Sequence, residues 1–465
     1  MKLHSSEDTI AAIATPLGEG GIGIVRLSGK EALAVAERFF EAKRKTRVRD
    51  QKSFTVRYGR VVLREGKDEK TVDEALLTVM RAPKSYTGED VVELSVHGGQ
   101  AVLREVLRLA VEAGARAAEP GEFTKRAFLN GRMDLLQAEA VLDLIQAKTS
   151  QSLRWASSQL EGGFSHKMQG LKRVLLELLS HLEADVDFPE DLPDTDSRKE
   201  TGKKISAAQG NIRKLLESAR LGFLAKRGLK AALWGRPNVG KSSLLNQLAQ
   251  SSRVIVTPYP GTTRDVVEEE IVLEGFPVRL QDTAGVQDTG DPIEKEGVER
   301  SRKAMQGADL VLFVLDSGQA LKPEDKKLYE ECREKPVITV LNKSDLPAKI
   351  SSEDLRSLGI RSAVACSCLK ESGLEALQKE MAGFILQGMA EIPEEAVVST
   401  VRQKDLLQQT ADDLARAGEA CQKGFSSEFI ASDVRQALHH LGMLVGEVVT
   451  EDVLELLFSK FCIGK

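Results

Sequence analysis

The sequence predicts a protein of the α/β and α classes. It has an N-terminal α/β domain, a central helical bundle, and a second α/β domain with a doubly wound, mostly parallel sheet inserted into that bundle. Three observations lead to this fold class. The chain has 465 residues, which corresponds to about three domains of ordinary size. Strand-like and helix-like patterns alternate in two separate parts of it, and the remaining parts carry apolar residues at helical spacing alone.

The first domain is predicted over residues 1–120. Short segments rich in Val, Ile and Leu, bounded by Gly, Pro or charged residues, are typical of strands, and they occur as IGIVRLSG, EALLTVMRA and DVVELSVHGG. Helical spacing separates them, as in QAVLREVLRLAVEAG. We therefore expect a mixed α/β unit at the start of the chain.

Helices alone are predicted for residues 121–228, where strand patterns disappear. Prolines and acidic residues in DFPEDLPDTD (187–196) indicate a loop between two of these helices. Strand–helix alternation resumes over 229–388, where apolar runs such as ADLVLFVLD predict buried parallel strands. Helical spacing returns over 389–465. The simplest arrangement is one bundle formed by both helical stretches.

Composition and charge restrict the class of protein. Hydrophobic residues make up 42% of the chain and charged residues 29%, as expected of a globular protein with apolar cores. The net charge of −5 argues against binding nucleic acid over the whole surface. Five cysteines without regular spacing indicate a reducing compartment. Since neither a signal-peptide pattern nor an apolar run of membrane-spanning length is found, we expect a cytoplasmic protein without membrane contact.

The strongest local signal is a phosphate-binding loop. The segment GRPNVGKS runs from Gly235 to Ser242, follows a predicted strand and opens a predicted helix. Glycines allow backbone N–H groups to curl around phosphate oxygens, and the helix N-terminus adds positive potential. Lys241 is expected to reach the β- and γ-phosphates, and the hydroxyl of Ser242 to bind Mg²⁺.

Further loops follow in the order and spacing of a GTPase. Thr263 lies in a polar loop and is expected to bind Mg²⁺ when the γ-phosphate is present. Asp282 follows a strand and would hold Mg²⁺ through water, and the Gly285 N–H would contact the γ-phosphate. Taken singly, Asp282 and Asn342 are better explained as turn or helix-cap residues that follow a strand. As a series, the loops indicate a nucleotide site.

The segment Asn342–Asp345 favours guanine as the base. A carboxylate only accepts hydrogen bonds, so Asp345 matches the two donors on guanine's Watson–Crick edge, whereas adenine would leave it unpaired at a cost of roughly 1–3 kcal/mol. Lys343 can lay its stem over the ring. The loop 367–369 is placed to contact the guanine oxygen by a backbone N–H. The residues expected to contact GTP or GDP are Asn238, Val239, Gly240, Lys241, Ser242, Ser243, Thr257, Thr262, Thr263, Asp282, Thr283, Ala284, Gly285, Asn342, Lys343, Asp345, Ser367, Cys368 and Leu369.

The water-orienting glutamine of Ras-like enzymes is missing. Val286 follows Gly285, and because valine cannot orient water, hydrolysis needs another source of catalysis.

Long segments outside these loops carry a resemblance that covers the whole chain. They are DTIAAIATPLGEGGIGIVRLSG, SYTGEDVVELSVHGG, EPGEFTKRAFLNGRMDLLQAEAVLDLI and the closing FCIGK. With them the sequence resembles the MnmE (TrmE) family of tRNA-modifying GTPases.

The resemblance implies hydrolysis that depends on K⁺. It places the ion beside the side chain of Asn238 when two G domains meet in a transient dimer. Thr262 and the backbone oxygens of Thr257 and Tyr259 complete the implied set of ligands. The resemblance also assigns the water-orienting carboxylate to Glu294. From spacing alone, Glu294 would be a solvated residue in the first turn of a helix.

For the first domain the resemblance implies folate binding and homodimerisation. It assigns the contacts with a tetrahydrofolate derivative (5-formyl or methylene) to Arg26, Glu93, Arg132 and Lys465. Some members carry lysine at the position of Arg132. Ordinary surface ion pairs are the alternative for each of these residues. Cys462 is implied to act in the modification chemistry, although free cysteines are more often buried packing residues.

The predicted function is that of a GTPase working with an FAD-dependent partner that resembles MnmG, in an expected heterotetramer. Together they would add an aminomethyl or carboxymethylaminomethyl group to carbon 5 of the wobble uridine of certain tRNAs. FAD would be bound by the partner and not by this chain. The alternative is a regulatory GTPase that acts as a switch in ribosome assembly, without modification chemistry.

Overall fold

The chain divides into two compact units. The first contains Met1–Leu142, Leu160–Leu192 and Gly424–Lys465, and the second contains Asp143–Gln159 and Pro193–Lys423. The structure is a computed structural model that describes residues 8–16, 18–43, 47–65, 68–187, 195–251, 253–254, 268–283, 292–387 and 397–465.

Helices and strands follow one another in this order. The first part of the chain forms β1 (Ile10–Ile13), β2 (Gly23–Ser28), α1 (Ala32–Glu37), β3 (Phe40–Ala42), β4 (Thr55–Glu65), β5 (Asp68–Met80), β6 (Val91–Val96), α2 (Gln100–Glu112), β7 (Arg116–Ala117), α3 (Glu122–Leu129), α4 (Leu135–Gln146), α5 (Ser150–Leu160), α6 (Gly163–Asp187) and α7 (Thr195–Arg227). The rest forms β8 (Leu229–Trp234), α8 (Lys241–Ser251), β9 (Arg253–Val254), β10 (Glu268–Leu273), β11 (Phe276–Asp282), α9 (Pro292–Gly307), β12 (Leu310–Asp316), α10 (Pro323–Cys332), β13 (Val337–Asn342), α11 (Ser352–Ser357), β14 (Ala363–Ala365), α12 (Leu374–Leu386), α13 (Val401–Gln422), α14 (Ser427–Val445) and α15 (Glu451–Phe458).

The first unit is built on a seven-stranded sheet. Its strand order is β3-β4-β5-β6-β2-β1-β7, and neighbouring strands are antiparallel except for β1 and β7. Buried Val25, Leu77 and Leu94 belong to one apolar core with residues of α1 and α2. The register of β2 against β6 places Arg26 opposite Glu93, which becomes important for the candidate folate site.

The second unit contains the doubly wound sheet that the sequence predicts. Its strand order is β14-β13-β12-β8-β11-β10-β9. The five strands from β14 to β11 are parallel to one another, whereas β10 pairs antiparallel with β11 and β9 pairs antiparallel with β10. Every residue of β12 is buried. Leu312 and Val314 belong to one core, whereas Phe313 and Leu315 belong to another, because alternate residues of a strand point to opposite faces. Both faces are therefore covered, and this part of the fold prediction is confirmed.

Helices from both sides of the inserted α/β segment pack together in each unit. In the first unit α6 packs against α14, and in the second α7 packs against α13. The predicted loop 187–196 falls mainly on residues 188–194, which lie outside the described residues, and α7 already begins at Thr195. Among the described helices, none combines the length and apolar character needed to cross a membrane. The domain boundaries near residues 120, 228 and 388 stay predictions.

Candidate GTP-binding site

The phosphate-binding loop connects the end of β8 to the start of α8. Two glycines in it have positive φ angles, +150° at Gly235 and +96° at Gly240. A Cβ atom on Gly235 would lie 2.4 Å from the backbone oxygen of Val314, and one on Gly240 would lie 2.2 Å from Nδ2 of Asn342. Side chains at either position would therefore collide with neighbouring strand ends. The loop conformation requires these glycines.

Lys241 is held against the loop that precedes it. Its ammonium donates hydrogen bonds to the backbone oxygens of Gly235 (2.9 Å) and Arg236 (2.8 Å). Burial lowers the pKa of Lys241 to about 8, and the nearby charge of Asp282 partly opposes this. Lys241 is the first residue of α8, and the positive potential at a helix N-terminus also favours a bound phosphate there.

Ser242 and Asp282 come together although 40 positions separate them. The Ser242 hydroxyl donates a hydrogen bond to Oδ2 of Asp282. Oδ1 of Asp282 is buried and has no hydrogen-bond partner among the described residues. Such an oxygen beside a hydroxyl suits a hard, hydrated cation, so these two residues fit Mg²⁺. The neighbouring Thr283 is buried, and its hydroxyl donates to the backbone oxygen of Leu233 in β8.

The base-recognition loop follows β13 and contacts the phosphate-binding loop. Nδ2 of Asn342 donates to the backbone oxygen of Val239 at 2.9 Å. The ammonium of Lys343 donates to the backbone oxygen of Asn238 at 2.9 Å. Lys343 itself has a φ of +59°, an uncommon angle for a residue with a side chain. The fold thus brings together two motifs that are about one hundred residues apart.

The Asp345 carboxylate is also positioned by the fold. Oδ1 of Asp345 accepts a hydrogen bond from the Ser367 hydroxyl, which lowers the pKa of Asp345. Asp345 is therefore ionised at neutral pH, as recognition of the two guanine donors requires. Cys368 is half-buried beside Asn342, whereas Leu369 is exposed.

Sequence reasoning missed two acidic residues that support this site. Asp316, at the end of β12, is buried and accepts a hydrogen bond from the Lys343 ammonium at 2.7 Å. Asp325, in α10, is 1% exposed and pairs with Arg236 of the phosphate-binding loop at 2.6 Å. An acidic residue that ends an apolar strand is a usable signal for Asp316. We find no comparable signal for Asp325.

Several predicted residues cannot be placed in the site. Thr257, Tyr259, Thr262 and Thr263, with Ala284, Gly285 and Val286, lie outside the described residues. Glu294 belongs to α9, but its side chain lies outside what the structure describes. Their roles, and the whole K⁺ assignment apart from the position of Asn238, stay predictions.

The predicted folate residues lie close together in the first unit. Arg26 Nε pairs with Glu93 Oε1 at 2.8 Å, and Nη1 of Arg26 donates to the backbone oxygen of Gly464 at 3.1 Å. The Arg26 guanidinium also lies over the rings of Tyr86 and Phe123, at 5.7 and 5.6 Å from their centroids. Aromatic faces and fixed charges thus surround one corner of the sheet.

The C-terminal segment contributes to the same corner. Gly464 has a φ of +92°, and a Cβ atom there would lie 2.3 Å from the backbone oxygen of Ile13. Burial lowers the pKa of Lys465, and the charge of Arg26 lowers it further. Arg132 donates from Nε to the backbone oxygen of Ser85 at 3.0 Å, next to Tyr86. The Cys462 side chain is exposed.

The second unit therefore has the fold and the loop arrangement of a P-loop GTPase. Family models match two stretches of the chain: residues 9–132 match the N-terminus of GTP-binding protein TrmE, and residues 135–462 match the MnmE helical domain. The chain belongs to the MnmE family.

Individual relatives match over their full length. The tRNA modification GTPase MnmE of Symbiobacterium thermophilum is 46% identical over 99% of this chain and 100% of its own length. The tRNA modification GTPase MnmE of Geobacillus thermodenitrificans is 45% identical over 98% of this chain and 99% of its own. Among solved structures, a single-residue variant of Aquifex aeolicus Era bound to GDP·AlF4⁻ is 26% identical, covers 40% of this chain and 66% of that one, and has a TM-score of 0.28.

Proposed function

We propose that this protein is a GTP hydrolase that acts in the modification of tRNA in the cytoplasm. The observation that carries the proposal is the meeting of the phosphate-binding loop, the Ser242–Asp282 pair and the loop Asn342–Asp345 in one site. The full-length relatives are named tRNA modification GTPases, which supplies the substrate class.

Phosphate binding is assigned to the loop 235–242 and the start of α8. Lys241 and the backbone N–H groups would hold the β- and γ-phosphates. Mg²⁺ would be held by Ser242, Thr263 and, through water, Asp282, and it would neutralise negative charge on the two phosphates. This choice is supported by Oδ1 of Asp282, which is buried and has no hydrogen-bond partner among the described residues.

Guanine selection is assigned to Asp345. Its ionised carboxylate, oriented by Ser367, accepts from the ring N–H and the exocyclic amine of guanine. Lys343, held by Asp316 and the phosphate-binding loop, would lay its stem along the ring.

Hydrolysis is assigned to K⁺-dependent dimerisation of the G domains. Asn238, Thr257, Tyr259 and Thr262 would supply neutral oxygens for K⁺, and Glu294 would orient the attacking water. Replacing K⁺ by Na⁺ at constant ionic strength should slow GTP turnover at least about tenfold, measured as phosphate release. Equal rates in the two salts would remove the K⁺ assignment.

The first unit is proposed to bind a tetrahydrofolate derivative and to form a homodimer. Glu93 suits the donors of a pterin edge, the half-buried Tyr86 suits its flat ring, and Arg132 and Lys465 suit the anionic tail. The ion pair between Arg26 and Glu93 would orient the carboxylate. The folate would supply a one-carbon unit.

The modification is proposed to need a second protein. An FAD-dependent partner resembling MnmG would join this chain in a heterotetramer, and the product would be an aminomethyl or carboxymethylaminomethyl group at carbon 5 of the wobble uridine. Cys462 would take part in that chemistry. GTP hydrolysis would drive the accompanying conformational change.

Nucleoside mass spectrometry tests the tRNA proposal directly. In tRNA from a strain that lacks this gene, the modified wobble uridine should be absent, and the gene on a plasmid should restore it. Unchanged modification in the deletion strain would overturn the proposal and favour the ribosome-assembly switch, which shares the GTPase site.

A further inference from the structure

The loop after β14 is bonded to the base-recognition loop at three points. The backbone N–H of Ser344 donates to the Cys366 oxygen at 3.0 Å. The Ser367 hydroxyl donates to Asp345. The Cys368 thiol donates to Oδ1 of Asn342 at 3.3 Å, within the range for hydrogen bonds to sulfur. The third contact joins the side chains of Cys368 and Asn342.

The Asn342 amide has one orientation that satisfies both of its ends. Its residue is 1% exposed, and Nδ2 donates to the backbone oxygen of Val239 at 2.9 Å. Rotating the amide by half a turn would place Oδ1 against that carbonyl oxygen, where two acceptors would repel each other. Oδ1 must therefore face Cys368, and the thiol is the donor it meets there.

The same amide packs directly on the phosphate-binding loop. A Cβ atom on Gly240 would lie only 2.2 Å from Nδ2 of Asn342, so the orientation of the amide and the path of the loop depend on each other. A contact that orients Asn342 consequently acts on base recognition and on the phosphate-binding loop together.

Cys368 is suited to donate a hydrogen bond. Burial raises the pKa of its thiol, so the group keeps its proton at neutral pH. The thiol is half-buried and lies at the edge of the site. Its neighbour Cys366 differs, because it is fully buried in the core of the unit and donates to the Gly373 oxygen at 3.3 Å.

We propose that Cys368 is a positioning residue for guanine-nucleotide binding. Its thiol orients the Asn342 amide and thereby joins the loop 366–369, the base-recognition loop and the phosphate-binding loop. This inference rests on the proposed GTP binding. A residue acting in this way affects the affinity for guanine nucleotides, because it orients a group of the base-recognition loop.

Affinity measurements on three variants test the assignment. Cys368→Ser keeps a donor, so its GDP dissociation constant should stay within about twofold of the original protein's. Cys368→Ala leaves Oδ1 of Asn342 without a partner, so GDP and GTP should bind about fivefold more weakly or worse. The matched control is Cys421→Ala, which removes another half-buried thiol and should not change affinity. Thermal unfolding confirms that each variant is folded.

Alkylation supplies a second readout that a purely structural thiol would not show. Bound GDP should protect Cys368 from iodoacetamide, as followed by peptide mass spectrometry, while labelling of Cys421 should not change. Full affinity in Cys368→Ala, equal losses in the Ala and Ser variants, or no protection by GDP would each overturn the inference. Failure of the unaltered protein to bind any guanine nucleotide would instead overturn the proposed function.

Discussion

At the scale of single residues, the candidate site depends on where each charge is held. Lys241 is 5% exposed and is surrounded mainly by carbonyl oxygens of its own loop. Burial disfavours the charged form of an amine, which explains its lowered pKa. A bound phosphate would favour the charged form again, so nucleotide binding and protonation are linked.

The pH dependence of binding follows from this linkage. Because the free protein loses the Lys241 proton above a pH of about 8, GDP affinity should fall by up to about tenfold per pH unit above that value. Fluorescence titration with a labelled GDP between about pH 7 and 9 measures this, and guanosine serves as the phosphate-free control. The free energy of unfolding without nucleotide should change in the opposite direction. Between about pH 8 and pH 10.5 the unfolded chain binds more protons at Lys241 than the folded chain does, so stability should rise with pH. A GDP affinity that stays constant up to about pH 9 would contradict the assignment.

Base choice is a second property of a single side chain. Asp345→Asn replaces one acceptor by a donor, so it should weaken GDP binding at least about 30-fold and improve the binding of xanthosine diphosphate, which presents an acceptor where guanine has its amine. Competition binding with the two nucleotides measures the switch. Asp354→Asn changes a half-buried acidic residue in the N-terminal capping box of α11 and should leave base choice as it is. Unaltered preference for GDP in Asp345→Asn would show that another group selects the base.

At the scale of elements, α10 holds the phosphate-binding loop from one side. The indole N–H of Trp234, at the end of β8, donates to the Leu328 oxygen in α10 at 2.9 Å. Two residues later, Arg236 pairs with Asp325 of the same helix. The loop is thus tied to α10 just where it leaves the strand, so the helix supports the phosphate-binding geometry.

Breaking this buried ion pair should affect both stability and binding. Asp325→Ala leaves the mostly buried Arg236 without its partner, so unfolding of the second unit should become easier by about 3 kcal/mol, and GDP should bind more weakly. Both tryptophans, Trp155 and Trp234, lie in the second unit, so urea unfolding followed by tryptophan fluorescence reports on it. Glu330→Ala removes an exposed pair with Arg333 near the end of the same helix and should cost less than about 0.5 kcal/mol. Similar losses in the two variants would mean that the pair does not anchor the loop.

At the scale of the whole molecule, the two kinds of proposed chemistry belong to different compact units. The nucleotide residues lie in the second unit, whereas Arg26, Glu93, Arg132, Cys462 and Lys465 lie in the first. The C-terminal residues reach the first unit only because the last two helices return to it. A change at the C-terminus should therefore separate GTP turnover from tRNA modification.

Cys462→Ser tests this separation. GTP turnover should stay within about twofold of the original rate, because Cys462 belongs to another unit than the nucleotide residues. Modified wobble uridine should fall sharply when the variant replaces the normal gene, as measured by nucleoside mass spectrometry. Cys421→Ser, which changes a thiol of the second unit, is the control. Normal modification by Cys462→Ser would make Cys462 a structural residue.

Much of the nucleotide site could be predicted from the sequence because its motifs are local. The loop 235–242 requires a strand before it and a helix after it, and both can be recognised from neighbouring residues. Asn342 and Asp345 follow an apolar strand in the same way. In a parallel sheet the carboxyl ends of strands meet at one edge, so the meeting of these loops followed from the pattern of elements. The doubly wound sheet was predictable for the same reason.

Tertiary structure alone decided the contacts between distant residues. Asp316 and Asp325 support the site from β12 and α10, and nothing next to them in the sequence indicates that Lys343 and Arg236 are their partners. The Cys368–Asn342 hydrogen bond and the approach of Gly464 to Ile13 likewise join separate segments. Local patterns determine which loops can bind phosphate or guanine. The order in which strands pack determines which buried side chains orient those loops, because packing and desolvation are properties of the assembled chain.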